Sequence, residues 1–478
     1  HGYADLSGAA GGMTVAYKDM PFEAPASLEL YGTGDVLAGL FSTRHEPGHF
    51  WSFGWRQHES RTACFSFHAP GQGDPAAVAA ALDIPVAGRA ADYLQYDRAG
   101  VFPYRLVSLA QENQAFAKMG LNYSVASHNE IQMVTRWLYA HESGGSNNFD
   151  SIEKRLGGDW LRQGIGGAYL TGLDLALYKS EWQIVRSDNF LDKNAPVAVN
   201  PELPHETGYE GEYEHRYRDG IALAYWLTGD ARFRDALYDE AEILNHLYFY
   251  EQERGMAQCL RAIAVVGQFT GDPGGLLKAE LKSWLQTWCT KLVDINVANL
   301  YGWGWEAMPD QGARRFFVTN KGANTPPPAG NNYWSRGFFT ASLHPLAMYH
   351  AARWLGLADP QGALARGRMR DLAFFGREEL YPYKALAKDR WLTYVYGANM
   401  KTSYQDEESD AHPLLLGFGQ AFKDTGDLKY LQRGIEELQG FAAHDNGQYA
   451  NNLYGIENRL DVQDFFRVYL DWLAATGQ

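Results

Sequence analysis

"YWLTGDARF", residues 225–233, ends one apolar run and opens another, and its centre is a Thr-Gly-Asp triplet. Glycine readily takes the left-handed conformation that closes a helix, and aspartate caps the start of the next. The triplet therefore reads as the joint of a helical hairpin. The joint recurs in "GQFTGDPGG" from residue 267 and "FKDTGDLKY" from residue 422, with "RWLGLADPQ" from residue 353 as a looser copy. Around these joints, apolar residues recur at i, i+3, i+4 and i+7 over 214–228, 254–269, 335–355, 410–423 and 461–475, which is the helical period. The joints are unevenly spaced, unlike those of a regular solenoid. Hairpins in series imply a closed ring. The expected fold is mainly α, with an (α/α) toroid over residues 73–478 preceded by a short β-sandwich-like segment over residues 1–72.

The first seventy residues follow a different rule. "MTVAYKDM", "SLELYG", "DVLAGLFS" and "RTACFSFHA" alternate with a period of two, punctuated by "GTGD" and "EPGH". This is strand patterning. The abrupt start at "HGYADLSGAAGG" suggests partner strands upstream, either on a removed segment or in a longer chain.

Composition narrows the function. The chain has 478 residues, 46% of them hydrophobic, enough for a large core. Its 42 basic residues face 57 acidic ones, a formal charge of -15, which disfavours nucleic acid as a partner. Cys64, Cys259 and Cys289 are far apart and form no CxxC, so the sequence calls for neither a zinc site nor a disulfide framework. No apolar run reaches the length of a membrane span. Aromatic residues make up 14%, with 14 Trp and 29 Tyr. Such rings stack on the C–H faces of sugars, and they equally fill helical cores.

Four stretches, "ASLELYGTGDVLAGLFS", "WRQHESRTACFSFH", "GDPAAVAAALDIPVAGRAADYLQYDRAGVFP" and "EHRYRDGIALAYWLTGD", together resemble the exo-acting rhamnogalacturonan lyases and related proteins. The resemblance covers most of the chain and implies a β-barrel-like domain, a β-sandwich and a closing α/α toroid. The first of these has no room here. It also implies an acidic pectic polymer as substrate, β-elimination as the reaction, and a secreted or periplasmic location, or the cytoplasm for imported oligosaccharides.

β-Elimination removes a proton α to a uronate carboxylate, so that carboxylate must be neutralised, a base must reach C5, and an acid must meet the leaving oxygen. The stretch "HETGYEGEYEHRYRDG" from residue 205 supplies all three types. His205 and Tyr209 are candidate base or acid, and Arg216 or Arg218 a planar fork for the carboxylate. Glu210, Glu214 and His215 complete the candidate catalytic set. Ordinary helix pairs, His215 with Asp219 and Glu214 with Arg218, explain part of the pattern equally well.

A second cluster surrounds the three prolines of residues 313–337, read as a stiff loop: Arg315, Lys321, Asn332, Tyr333, Trp334 and Arg336, the densest basic and aromatic mixture in the chain. A third, over residues 393–416, offers Tyr404 and Glu408 before another helix, where acidic residues also serve as caps. Its carboxylates Asp406, Glu408 and Asp410, paired with Glu210, Glu212 or Glu214, would suit a glycoside hydrolase instead. A non-catalytic carbohydrate-binding protein is the third reading. No cofactor is required; a divalent cation such as calcium has candidate ligands in His205, Glu206, Glu210 and His215, without HExxH or EF-hand spacing. The expected partner is an acidic polysaccharide or oligosaccharide. Oligomeric state is not legible.

Overall fold

The computed structural model describes residues 2–18, 27–39, 62–83, 88–92, 94–99, 105–121, 151–180, 218–244, 253–289, 292–296, 301–307, 315–319, 331–378, 392–397, 400–406, 414–443 and 460–478. They are mainly helical, with small antiparallel sheets.

The N-terminal alternation forms strands as expected. Strands β1 (Gly2–Gly8), β2 (Gly11–Tyr17) and β5 (Ala63–His68) make one antiparallel sheet in the order β1-β2-β5. Strands β3 (Ser27–Leu30) and β4 (Val36–Gly39) form a separate hairpin that touches β1. Helix α1 (Pro75–Asp83) packs on all three strands of the first sheet. One polar group lies within this sheet. Asp5 accepts hydrogen bonds from Ser7 Oγ and Thr14 Oγ1, both at 2.5 Å, and lies 3.0 Å from His68 Nε2. The other imidazole nitrogen, Nδ1, sits 3.1 Å from the Ala69 carbonyl. The ring is flanked by glycine: a Cβ on Gly12 would meet His68 Cε1 at 2.3 Å, and one on Gly73 would meet it at 2.6 Å.

Short helices α2 (Leu94–Ala99) and α3 (Leu109–Lys118) lead into the helical part. Ser108 and Gln111 form a reciprocal capping box at the start of α3. After α4 (Ser151–Glu153) the chain continues as a π-helical segment, π1 (Lys154–Gln163), and then α5 (Gly166–Tyr178). Four hairpins follow: α6 (Asp219–Thr228) with α7 (Ala231–Leu244), α8 (Glu253–Thr270) with α9 (Leu276–Trp288), α10 (Gly337–Leu355) with α11 (Pro360–Glu378), and α12 (Leu415–Thr425) with α13 (Lys429–Ala443). Helix α14 (Leu460–Thr476) is last.

The joints have the chemistry read from the sequence. Gly229, Gly271, Gly356 and Gly426 take φ of 69°, 74°, 80° and 70°. Asp230, Asp359 and Asp427 accept the N–H groups of Arg232, Gln361 and Lys429, while Asp272 accepts those of Leu277 and Lys278. In all three Thr-Gly-Asp copies the threonine hydroxyl donates to the carbonyl four residues back and accepts the aspartate N–H.

The first helix of each hairpin is buried on nearly every face, as Met256 to Val266 of α8 and Leu414 to Ala421 at α12 show, whereas α7 and α11 expose one side. Amphipathic helices thus surround apolar ones. Contacts run from α6 to α8, α10, α12 and α14, on to π1, and from π1 back to α6, with α5, α7, α9, α11 and α13 packed outside. Tight crossings use glycine: a Cβ on Gly434 would meet the Phe465 ring at 2.5 Å, and one on Gly267 the Trp354 ring at 2.1 Å.

The polyproline reading is corrected in part. Arg315 begins strand β8 (Arg315–Thr319), and Asn332, Tyr333, Trp334 and Arg336 lie in β9 (Asn331–Arg336). With β6 (Leu292–Asn296), β7 (Tyr301–Ala307), β10 (Leu392–Gly397) and β11 (Met400–Asp406), these form one antiparallel sheet in the order β11-β10-β9-β8-β7-β6. Aromatic and β-branched alternation in "YGWGWEA", "RFFVT" and "LTYVYG" carried this signal. The prolines themselves fall outside the described residues.

Candidate functional site

The inner helices run in one direction. Phe269, near the end of α8, packs against Tyr225 and Trp226, near the end of α6, at centroid distances of 5.2 and 5.9 Å. Trp354, near the end of α10, covers Gly267 of α8 and lies under Lys278 at the start of α9. Arg366, in the second turn of α11, pairs at 2.7 Å with Asp424 near the end of α12. The short joints therefore share one end of the assembly, and the starts of α6, α8, α10 and α12 share the other.

Long connections enter at that second end: residues 181–217 before α6, 289–336 before α10 and 379–414 before α12. The two later ones contain the six-stranded sheet. Parallel helix starts also bring unpaired N–H groups and positive partial charge to this end. In the sequence, every candidate catalytic or substrate-binding residue falls within one of these connections or at its junction with an inner helix.

The register brings two of the three clusters together. Trp334 of β9 pairs with Thr319 of β8 and with Val395 of β10. Tyr404 of β11 pairs with Tyr394, which pairs in turn with Ser335 of β9. His205, Tyr209, Glu210, Glu214, His215, Arg216, Lys321 and Glu408 lie outside the described residues, as do one partner of each helix pair proposed for 214–219 and the calcium ligands.

Arg218 is described, and it faces inward. It occupies the N-cap position of α6, is 1% exposed, and brings Nε to 3.2 Å from Glu240 Oε1 of α7. Its guanidinium thus pairs with an internal carboxylate, and the sequence offered no sign of this because Glu240 is remote in the chain.

Below Arg218 lies a network that sequence reading missed. Asp219, the first residue of α6, pairs with Arg261 of α8 and lies 3.5 Å from His350 Nε2 of α10. Arg261 also pairs with Glu153 of α4 at 2.8 Å. Four helices meet here, and all four side chains are buried. Desolvation dominates at His350 and holds its imidazole down at about 4, against the opposing pull of Asp219. The ring is therefore neutral at neutral pH, and proton exchange is confined to acid conditions.

Three further buried polar groups brace the structure. Arg162 of π1 pairs with Glu112 of α3 and donates to the Val107 carbonyl at 3.1 Å; burial still raises the Glu112 carboxyl. Asp464 of α14 accepts from Gln420 of α12, and burial raises its carboxyl too. Cys259 and Cys289 are both buried and form no disulfide; the Cys289 thiol meets Met348 Sδ at 3.9 Å, and burial pushes its pKa up strongly.

Among the described residues there is no cluster of three metal-ligating side chains, and no helix is long and apolar enough to cross a membrane. No family model, curated protein or solved structure matches the chain.

Proposed function

We propose that this chain is a carbohydrate-active enzyme, an exo-acting polysaccharide lyase that cleaves a uronate-containing polysaccharide or oligosaccharide by β-elimination. Its framework is an (α/α) toroid, with a β-sandwich-like segment ahead of it. The closed cycle of helix contacts from α6 through α14 and π1 supports the toroid. The observation that carries the functional reading is an asymmetry: short joints at one end, and long connections, which hold the candidate residues in the sequence, leading into the starts of α6, α10 and α12 at the other. The resemblance to the exo-acting rhamnogalacturonan lyases points the same way.

In this reading Arg216, Arg315, Lys321 and Arg336 neutralise the uronate carboxylate and acidify the proton at C5. His205 or Tyr209 removes that proton, and the other protonates the leaving glycosidic oxygen. Asn332, Tyr333, Trp334 and Tyr404 bind the sugar faces and hydroxyls. Arg218 acts as a positioning residue, since its partner Glu240 ties the start of α6 to α7. Asp219, through Arg261, His350 and Glu153, holds that start from beneath, which fixes the end of the catalytic stretch against three other helices. The protein acts outside the cytoplasm, where such polymers are met.

The rival reading, a glycoside hydrolase using Glu210 or Glu214 with Glu408, draws on the acidic residues of the same connections. Ultraviolet absorbance, followed beside reducing ends on rhamnogalacturonan, ulvan and alginate oligosaccharides, separates the two. Elimination creates an absorbing unsaturated uronate, and this is the expected result. Reducing ends without absorbance would replace elimination with hydrolysis; neither signal, with binding retained, would leave a binding protein.

A further inference from the structure

Helix α6 starts in the interior without a cap. Arg218 at its N-cap makes no side-chain hydrogen bond to the first turn, and among the described residues nothing accepts the N–H groups of Asp219, Gly220 and Ile221, all three buried. The Asp219 carboxylate does not turn back on them; it pairs with Arg261 and faces His350. The donors of the first turn and the positive end of the helix are left open.

A second group is open at the same place. Gln258 of α8 is 1% exposed, and neither its Nε2 nor its Oε1 has a hydrogen-bond partner. A buried amide in this state weakens the fold unless something completes it. Two contacts fix where it faces. Phe269, roughly three turns later and so on the same face of α8, packs against Tyr225 and Trp226 of α6. Arg261, one turn later, pairs with Asp219. Gln258 therefore faces α6 from about 4.5 Å beyond the Arg261–Asp219 contact, past the first residue of α6. That is the direction in which the free N–H groups of α6 point, and a helical side chain leans the same way, toward the start of its own helix.

We infer that the start of α6 and Gln258 together form a subsite for a carboxylate with a hydroxyl close beside it. The N–H groups of Asp219, Gly220 and Ile221 and the Gln258 Nε2 donate to the carboxylate, and Gln258 Oε1 accepts from the hydroxyl. A hexuronate carries both groups. A neutral hexose brings no anion to the helix end and leaves the donors unpaired, so Gln258 determines specificity and moves no proton. That the ligand is the uronate of a polymer undergoing elimination rests on the proposed reaction; the carboxylate subsite does not.

Amide resonances of the 15N-labelled full chain, titrated with D-galacturonate and separately with D-galactose, test the subsite. Galacturonate should move the backbone amides of Gly220 and Ile221 and the side-chain amide of Gln258 together, and galactose should move none of them. Gln258→Met keeps the volume and removes both unpartnered atoms. It should raise the melting temperature of the ligand-free protein and weaken galacturonate binding about tenfold. A glutamine with a merely structural role would do the opposite, losing stability on substitution and leaving binding alone. Equal galacturonate affinity in Gln258→Met, an equal response to galactose, or no movement up to the solubility limit overturns the subsite. Should Gln258→Met fail to fold, the two wild-type titrations decide. A negative ultraviolet assay with these shifts retained removes the elimination and leaves the subsite, and absorbance without the shifts does the reverse.

Discussion

At the scale of single residues, the Asp5 and His68 pair shows how two weak partners lock each other's charge. Both imidazole nitrogens face acceptors, Asp5 Oδ1 and the Ala69 carbonyl, so only the doubly protonated ring donates to both. The Ala69 carbonyl and Asp5 accordingly raise the His68 pKa, while Ser7, Thr14 and His68 lower that of Asp5 to about 2. The contribution of His68 is complete below 6.5 and is lost as pH rises through its raised value. That of Asp5 is complete above 3.8 and is lost as pH falls through about 2. His68→Asn should flatten the alkaline side of the melting profile and weaken the acid side only in part, since Ser7 and Thr14 still hold the Asp5 carboxyl down. Gly12→Ala should displace the imidazole and bring its NMR titration back toward 6.5. None of this was legible in sequence, because Asp5 and His68 are 63 residues apart and meet only through β2.

At the scale of elements, the joints were legible and the long sheet was not, for one physical reason. A Gly-Asp joint is settled by backbone conformation and side-chain capping within a few residues, so four local copies announce four hairpins. Strands β6 to β11 become a sheet only by pairing across gaps as long as the helices α10 and α11, which separate β9 from β10. The prolines between β8 and β9 drew attention from the alternation beside them. Two substitutions test the joint. Gly229→Ala should cost about 1 kcal/mol because φ there is positive. Asp230→Ala should cost about 1 kcal/mol through loss of the cap to Arg232 N–H. Urea unfolding measures both, and Gly220→Ala should cost more, since a Cβ there meets Ile152 at 2.5 Å.

At the scale of the whole molecule, a buried polar network ties helices that are far apart in the chain. Asp219 reaches both Arg261 and His350, so α6, α8 and α10 depend on one carboxylate. Arg261→Met leaves Asp219 and Glu153 facing each other without their cation and should destabilise by ~3–5 kcal/mol, measured in the same urea experiment. His350 adds a pH term. Its lowered pKa, about 4 against 6.5, makes its contribution complete above 6.5 and progressively lost down to about 4. His350→Phe should remove that part of the acid destabilisation, read as a smaller fall in melting temperature between pH 6.5 and pH 4. The candidate site was legible in its residue types, three clusters rich in cations, aromatics and carboxylates, because they interrupt apolar periodicity. Its support was not legible: Glu153, Asp219, Arg261 and His350 look like ordinary helix residues until packing of four helices brings them together.

The joints of two to five residues at one end leave almost no slack between an inner helix and its outer partner. At the opposite end, lengthening a connection that is already long adds only about 0.6 kcal/mol of closure entropy per doubling. Changes in chain length are therefore tolerated on one side of this molecule and punished on the other. Inserting a few flexible residues between Thr228 and Ala231 should uncouple α6 from α7, while the same insertion within 320–330 should leave the melting temperature nearly unchanged. New ligand specificities can thus arise by rewriting one face while the framework behind it stays constant.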